Sequence, residues 1–370
     1  MSCDFLSLAL PGVQKLSPYV PGKPVDELAR ELGLNAADIV KLASNENPLG
    51  PAPLALKAIQ QALPELTRYP DGNGFELKQA LAARFSLDPS TITLGNGSND
   101  ILELAARSFL TPADEVVFSE HAFAVYPIVT QAVGAKPVVV PARDWGHDLE
   151  AMAAAISPAT RLVFIANPNN PTGTWIEAAD FDAFMAKLPE RVLVVLDEAY
   201  TEYADADDAL NGFDYLERYP NLLVSRTFSK AYGLAALRVG YCVSNPVVAD
   251  VLNRVRQPFN VNSLALVAAV ASLNDASYLA ESRRVNREGM QQLEEGLKAL
   301  GLECIPSRGN FIAVDVGREA APVYEALLRQ GVIVRPVAGY GMPNHLRVSI
   351  GLAQENQHFL DALGRVLAGE

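Results

Sequence analysis

VLVVLDEAY, residues 192–200, sets five apolar residues directly ahead of an acid, Asp197. A β-branched run without polar alternation is the pattern of a strand buried on both faces. Similar runs lie on either side: TITLG (91–95), EVVFSE (115–120), RLVFIAN (161–167) and NLLVSRTFSK (221–230). Helical periods such as DILELAARSFL and AVYPIVTQAVG separate the earlier ones. Strand alternating with helix predicts an α/β fold whose large domain holds a mostly parallel sheet flanked by helices. Beyond it, roughly Pro246 to Leu300 reads as one long helical stretch. The last 65 residues read strand, helix, strand, strand, helix, a smaller C-terminal α/β domain. Pro11, Pro18, Pro21 and Pro24 disfavour helix before about Val25, so the start reads as an arm leading into a short helix ended by Gly33. The expected limits are an N-terminal arm at 1–44 packing with the small domain, a large domain at 45–260 and a small domain at 261–370.

Composition narrows the function classes. At 370 residues and 49% hydrophobic, the chain can bury a large core without staples. Thirty basic against 43 acidic residues give a net charge of −13, which argues against nucleic acid or anionic lipid as a partner. Cys3, Cys242 and Cys304 form no CxxC pair, and the four histidines are scattered, so neither disulfides nor a metal site is expected. The longest apolar run, Leu264 to Leu273, is about half a membrane span. The first residues lack the basic start of a signal peptide. These features together read as a cytoplasmic protein.

Four features carry chemistry. Asp197 sits where ligands bind in open parallel sheets, just past a strand's carboxyl end. A helix N-cap is the plainer reading of such an acid. Lys230, in SRTFSKAYGLAALRVGY (225–241), also follows an apolar run. A lysine in a dry cleft loses basicity and becomes a nucleophile, whereas a surface lysine is the ordinary case. LGNGSNDILEL (94–104) is a glycine-rich turn opening a helix, suited to an anion or simply a capped start. ANPNNPTG (166–173) aims amides from a strand end between two prolines. An acid, an amine, an amide-rich turn and an anion-binding helix start at one sheet edge match the needs of pyridoxal phosphate.

KLASNENPLGP, RYPDGNG, GNGSNDIL, NPNNPTG, LDEAY, SRTFSKAYGLAALRVGY and LRVSIG occur in this order from about residue 15 to the end. In this the chain resembles the fold-type I pyridoxal-phosphate aminotransferases. LSPYVPGK and KLASNENPLGP resemble the histidinol-phosphate branch of that family. The resemblance implies pyridoxal 5'-phosphate as cofactor, Lys230 as the lysine that condenses with its aldehyde, and Asp197 as the partner of its ring nitrogen. Tyr200 and Asn170 would bond the ring 3-oxygen, and Ser98, Asn99, Ser229 and Arg238 the phosphate. Phe123 falls where many relatives place a tyrosine over the ring. Tyr69 would reach the neighbouring subunit's cofactor phosphate, making the site shared in a homodimer. Arg347, Arg335, Tyr19 and Asn310 are the substrate-binding candidates. A strand-end surface arginine is the plain alternative for Arg335, and a packing role for Tyr19.

The activity implied is a ping-pong transfer between L-histidinol phosphate and 2-oxoglutarate, giving imidazole acetol phosphate and glutamate in histidine biosynthesis, with Lys230 moving the proton. Alternatives within the fold are an aromatic amino-acid aminotransferase, which needs only one cation at the donor's far end, and a phosphothreonine decarboxylase, which needs no keto acid. A non-catalytic regulatory module would require an attached DNA-binding segment.

Overall fold

The computed structural model describes residues 3–19, 21–204 and 209–369. Strand β1 (Val40–Lys41) precedes seven strands of a large sheet: β2 (Ile92–Gly95), β3 (Glu115–Ser119), β4 (Lys136–Val140), β5 (Thr160–Ala166), β6 (Leu193–Asp197), β7 (Leu222–Thr227) and β8 (Gly240–Ser244). Their order is β2-β8-β7-β6-β5-β3-β4. All neighbours run parallel except β8, which is antiparallel to both β2 and β7. No helix long enough for a crossover lies between β7 and β8, so the chain returns alongside β7 in the opposite sense. Sequence pattern missed β8 and β4. GYCVS is short and contains a glycine, and KPVVV is a partly exposed edge strand beginning beside a proline.

The apolar runs have the double burial that their composition calls for. Val116, Phe118, Leu162, Phe164 and Val195 face the helices Ser98–Phe109, Val125–Ala132 and Pro246–Val255. Their alternates Val117, Val163, Ile165, Val194 and Val224 pack with Met152, Phe181 and Phe184 on the other face. Period-two alternation between two buried faces favours apolar residues at successive positions of a strand, and the polar exceptions Thr93, Ser225 and Arg226 are themselves buried.

The C-terminal lobe is an antiparallel sheet ordered β12-β13-β10-β9, from β9 (Glu303–Ile305), β10 (Phe311–Asp315), β12 (Arg335–Pro336) and β13 (His345–Ser349). The short β11 (Val332–Ile333) pairs in parallel with β1, tying the arm's end to this lobe. Helix Val25–Leu32, ended by Gly33 in the left-handed region, buries Leu28 against Leu328 and Ile333 there. The first turns behave differently from the expected arm. Pro11–Gln14 lies on helix Val125–Ala132 of the large sheet, so closely that a Cβ on Gly12 would strike the Gln131 carbonyl.

The stretch from Pro246 to Leu300 is three helices. Asn262 and Asp275 each cap a new N-terminus by accepting a backbone N–H, a competition with helix that short polar side chains are suited to. Helix Ser263–Leu273, expected with the small domain, packs instead on Pro53–Ala62 and Phe75–Phe85. Helix Ala276–Ala299 bridges the lobes, with Leu279 in the large-lobe cluster and Leu293 and Leu297 in the C-terminal one. No single helix among the described residues is long and apolar enough to cross a membrane.

Candidate active site

The carboxyl ends of β3, β5, β6 and β7 point to one edge of the large sheet, and the C-terminal lobe covers that edge. A cavity of about 170 Å³ lies between them. Ser98, Asn99 and Phe123 line it from the large-sheet helices and loops, with Asn170, Asp197 and Tyr200 from the ends of β5 and β6. Ser229, Lys230 and Arg238 enter from the segment after β7. Tyr19 of the arm and Arg335 and Arg347 of the C-terminal lobe complete the wall.

Asp197 is the last residue of β6 and is buried. Tyr126, fully buried, donates its hydroxyl to Asp197 Oδ2 at 3.0 Å. Asp197 Oδ1 is buried without a hydrogen-bond partner among the described residues. Burial raises its pKa to about 6 from an ordinary 3.8, against the pull of the Tyr126 hydrogen bond. Glu198, one residue on, faces the other way: Arg226 of β7 donates to its Oε2 from Nε at 2.9 Å and Nη2 at 2.7 Å. Strand alternation thus assigns one acid of the pair to the cavity and the other to a buried ion pair.

Lys230 donates to the Ser44 carbonyl at 3.0 Å. Burial lowers its pKa to about 8, reinforced by the nearby Arg347 and Arg238 charges. A substantial neutral fraction is therefore present near pH 8, which is what a nucleophilic amine requires. The Tyr200 hydroxyl accepts from Asn45 Nδ2 at 2.9 Å and Asn170 Nδ2 at 3.3 Å, and burial pushes its pKa up to about 12.

Helix Ser98–Phe109 begins at Gly97, whose φ of 77° is in the left-handed region. A Cβ there would collide with the Arg238 guanidinium, so glycine lets this cation close on the helix's free N–H groups. Together they form an anion cradle. In the C-terminal lobe, buried Arg347 donates to Asn170 Oδ1 at 2.5 Å and to the Ala43 carbonyl at 2.7 Å. Its Nε has no hydrogen-bond partner among the described residues. Arg335 lies over the Tyr19 ring at 5.6 Å.

Two expected residues are not in this wall. Asn310 is buried beside it, donating to the Asn45 carbonyl at 3.0 Å. Tyr69 is 83% exposed and stacks on Phe259 at 4.8 Å. Sequence reasoning passed over Tyr126, whose helix AVYPIVTQ offers nothing to separate it from core. It also passed over Asn45, although its left-handed φ of 54° in a polar turn is a conformation asparagine favours.

Residues 37–363 match the sequence model of the family described as aminotransferase class I and II. The chain belongs to that family. It is 71% identical over 368 residues to histidinol-phosphate aminotransferase 2 of Pseudomonas fluorescens, covering all of both chains. It is likewise 71% identical over 365 residues to the protein of the same description from Pseudomonas aeruginosa, covering 99% of each. Among solved structures, histidinol-phosphate aminotransferase from Sinorhizobium meliloti in complex with pyridoxal 5'-phosphate superposes with a TM-score of 0.90 at 34% identity, over 97% of each chain. The fold is thus that of a pyridoxal-phosphate aminotransferase, as the motifs suggested.

Proposed function

We propose that this chain is a pyridoxal-phosphate-dependent transaminase that exchanges an amino group between L-histidinol phosphate and 2-oxoglutarate in histidine biosynthesis. The observation that carries the reading is the convergence of Asp197, Lys230 and the Gly97–Arg238 cradle on one cavity, with two arginines at its wall. The relatives above, at 71% identity over full length, support the substrate. Three free cysteines, with no disulfide among the described residues, agree with a cytoplasmic setting.

The residues present fit the cofactor. The orphaned Asp197 Oδ1 calls for a ring N–H, and the cradle at Ser98, Asn99, Ser229 and Arg238 calls for a phosphate. Tyr200, already accepting two amide hydrogens, keeps its own hydroxyl hydrogen for an anionic ring oxygen. When bound, pyridoxal phosphate supplies a protonated ring able to take up the electron pair left when a carbon beside an amine loses its proton. Lys230 Nζ, unprotonated in part, would take that proton and return it to the carbon on the far side of the amine nitrogen. Asp197 keeps the ring nitrogen protonated, and Tyr126 holds the carboxylate in place. Arg347 and Arg335 receive the phosphate of the donor and, in the second half of the exchange, a carboxylate of the acceptor.

Arg347→Lys keeps a charge but loses the planar fork that spans Asn170 and the Ala43 carbonyl. KM for both histidinol phosphate and 2-oxoglutarate is expected to rise about 10- to 100-fold, as for a lost charge-assisted hydrogen bond. Steady-state kinetics with each substrate varied in turn checks this. A rise for one substrate alone would refute a shared anion site.

The homodimer is part of the same reading. Leu54, Leu63, Leu66, Tyr69 and Phe75 are large and exposed within one stretch of chain, and exposed Phe259 stacks on Tyr69; large side chains left in solvent suit an interface. A second copy seated there would cover Tyr69 and bring it to the neighbour's cavity. Leu66→Glu is expected to give a monomer in sedimentation, with activity down at least tenfold. A wild-type monomer would refute it.

The function itself is tested by incubating the loaded enzyme with histidinol phosphate and 2-oxoglutarate. Glutamate and imidazole acetol phosphate are expected in equal amounts. Carbon dioxide release without a keto acid, or turnover confined to aromatic amino acids, would overturn it.

A further inference from the structure

Arg347 lies on β13 between two residues of the same strand face, His345 and Ser349. All three reach across to other parts of the cavity's frame. Ser349 Oγ accepts from the Asn45 backbone N–H at 2.8 Å, Arg347 holds Asn170, and the His345 ring meets Trp145 edge-to-face at 4.8 Å. The Trp145 contact has no place in the chemistry described above.

Its backbone makes the case that it is more than packing. Arg143 and Gly146 exchange backbone hydrogen bonds around a two-residue turn, with Asp144 at φ 50° and Trp145 at φ 64°. Turns with two positive φ values favour Asn-Gly or Asp-Gly, and a bulky tryptophan at such a position is an outlier. Local strain of this kind persists where surrounding contacts hold it, and it clusters at functional sites. Here the turn swings the indole, 39% exposed, onto the C-terminal lobe.

Contacts around the indole close a circuit. On one side it lies 5.3 Å from His121, whose Nδ1–H donates to the Tyr340 carbonyl of the C-terminal lobe at 2.7 Å. Behind it, the Trp145 carbonyl accepts from Thr174 Oγ1 at 3.3 Å. Thr174 contacts Thr172 at 2.9 Å, and Thr172 accepts from Asn169 Nδ2 at 2.8 Å. Asn169 adjoins Asn170, the residue that Arg347 grips. The path from Trp145 through this loop to Asn170 and Arg347 returns along β13 to His345 and the indole.

We propose that Trp145 is a positioning residue: wedged against His345 and His121, it fixes β13 on the large lobe and so sets the guanidinium of Arg347 for the anionic end of the substrate. This rests on the function proposed above only in naming that substrate. Pulling the indole away releases the outer end of β13 while leaving every cavity-lining side chain in place, so loss is expected in substrate grip more than in chemistry.

Trp145→Gly separates the two roles, because glycine accepts a φ of 64° without strain while deleting the ring. Calorimetric titration of the loaded enzyme with succinate, a dicarboxylate with no amine or keto group, is expected to show about tenfold weaker binding. KM for both substrates should rise at least fivefold and kcat fall less than threefold, with no drop in melting temperature. Trp145→Phe should restore succinate binding to within threefold of wild type, and His345→Ala, which deletes the other ring but leaves the turn, should reproduce the Gly variant. Succinate binding within twofold of wild type in Trp145→Gly would overturn the proposal, as would a lowered melting temperature with unchanged binding. A Phe variant no better than Gly would overturn it equally. Wild-type turnover of histidinol phosphate tests the substrate assignment separately, since the variant-to-wild-type ratio for succinate does not depend on it.

Discussion

Replacing Lys230 by alanine is expected to lower turnover by about four orders of magnitude or more, the scale of losing a nucleophile and a proton carrier at once. Among the described residues, no other amine lines the cavity beside it. Arg238 and Arg347 carry guanidinium groups rather than primary amines and cannot substitute. The fold should survive, because among the described residues the lysine's hydrogen bond is a single one, to the Ser44 carbonyl. Stability of the cofactor-free protein should in fact increase near neutrality. With Lys230 depressed to about 8 from an ordinary 10.5, the folded state binds fewer protons than the unfolded chain between those pH values. Stability therefore rises with pH across that window, and the cost of the buried ammonium is in full force below it. Alanine removes that cost, worth up to about 3 kcal/mol near pH 7, and the difference should vanish above about pH 10.5. Melting curves of the cofactor-free pair at pH 7 and pH 10.5, beside turnover at pH 8, check both halves.

Asp197→Asn is expected to lower kcat by about 10²- to 10³-fold, as for loss of one electrostatic stabiliser in a dry site. An amide accepts the Tyr126 hydroxyl as the carboxylate does, so geometry is kept while the negative charge is lost. The stability sign runs the other way along the pH axis from that of Lys230. Asp197, raised to about 6 from 3.8, holds a proton in the folded state that the unfolded chain has released. Stability then falls as pH rises from about 4 to 6, and the cost of the buried charge is complete above that. The cofactor-free Asn variant should melt above wild type at pH 8 and match it near pH 3.5. Gaining stability while losing activity is the signature of a charge kept for function. A variant with full kcat would remove Asp197 from the chemistry.

Much of this arrangement was legible in the residues because the strands are short, apolar and buried on both faces, a pattern that composition alone betrays. Once their carboxyl ends were placed at one edge, Asp197, Asn170 and Lys230 had to lie near each other. What stayed hidden depends on tertiary contact. The antiparallel β8 follows from a short connection that carries no periodicity of its own. Tyr126 is polar only at one atom, and its helix face is otherwise that of a core helix. Helix Ser263–Leu273 is apolar all round, so no face announces that it packs on the large lobe. The Asp144–Trp145 turn lacks the glycine by which such turns are read.

One lysine among all those in the chain, Lys230, is expected to meet the cofactor. Borohydride treatment of the purified, cofactor-loaded protein, followed by digestion and mass spectrometry, tests this without any substrate. A phosphopyridoxyl group is expected on the peptide carrying Lys230 and on no other. A protein that takes up no label, or a label on a different lysine with Lys230 unmodified, would contradict it.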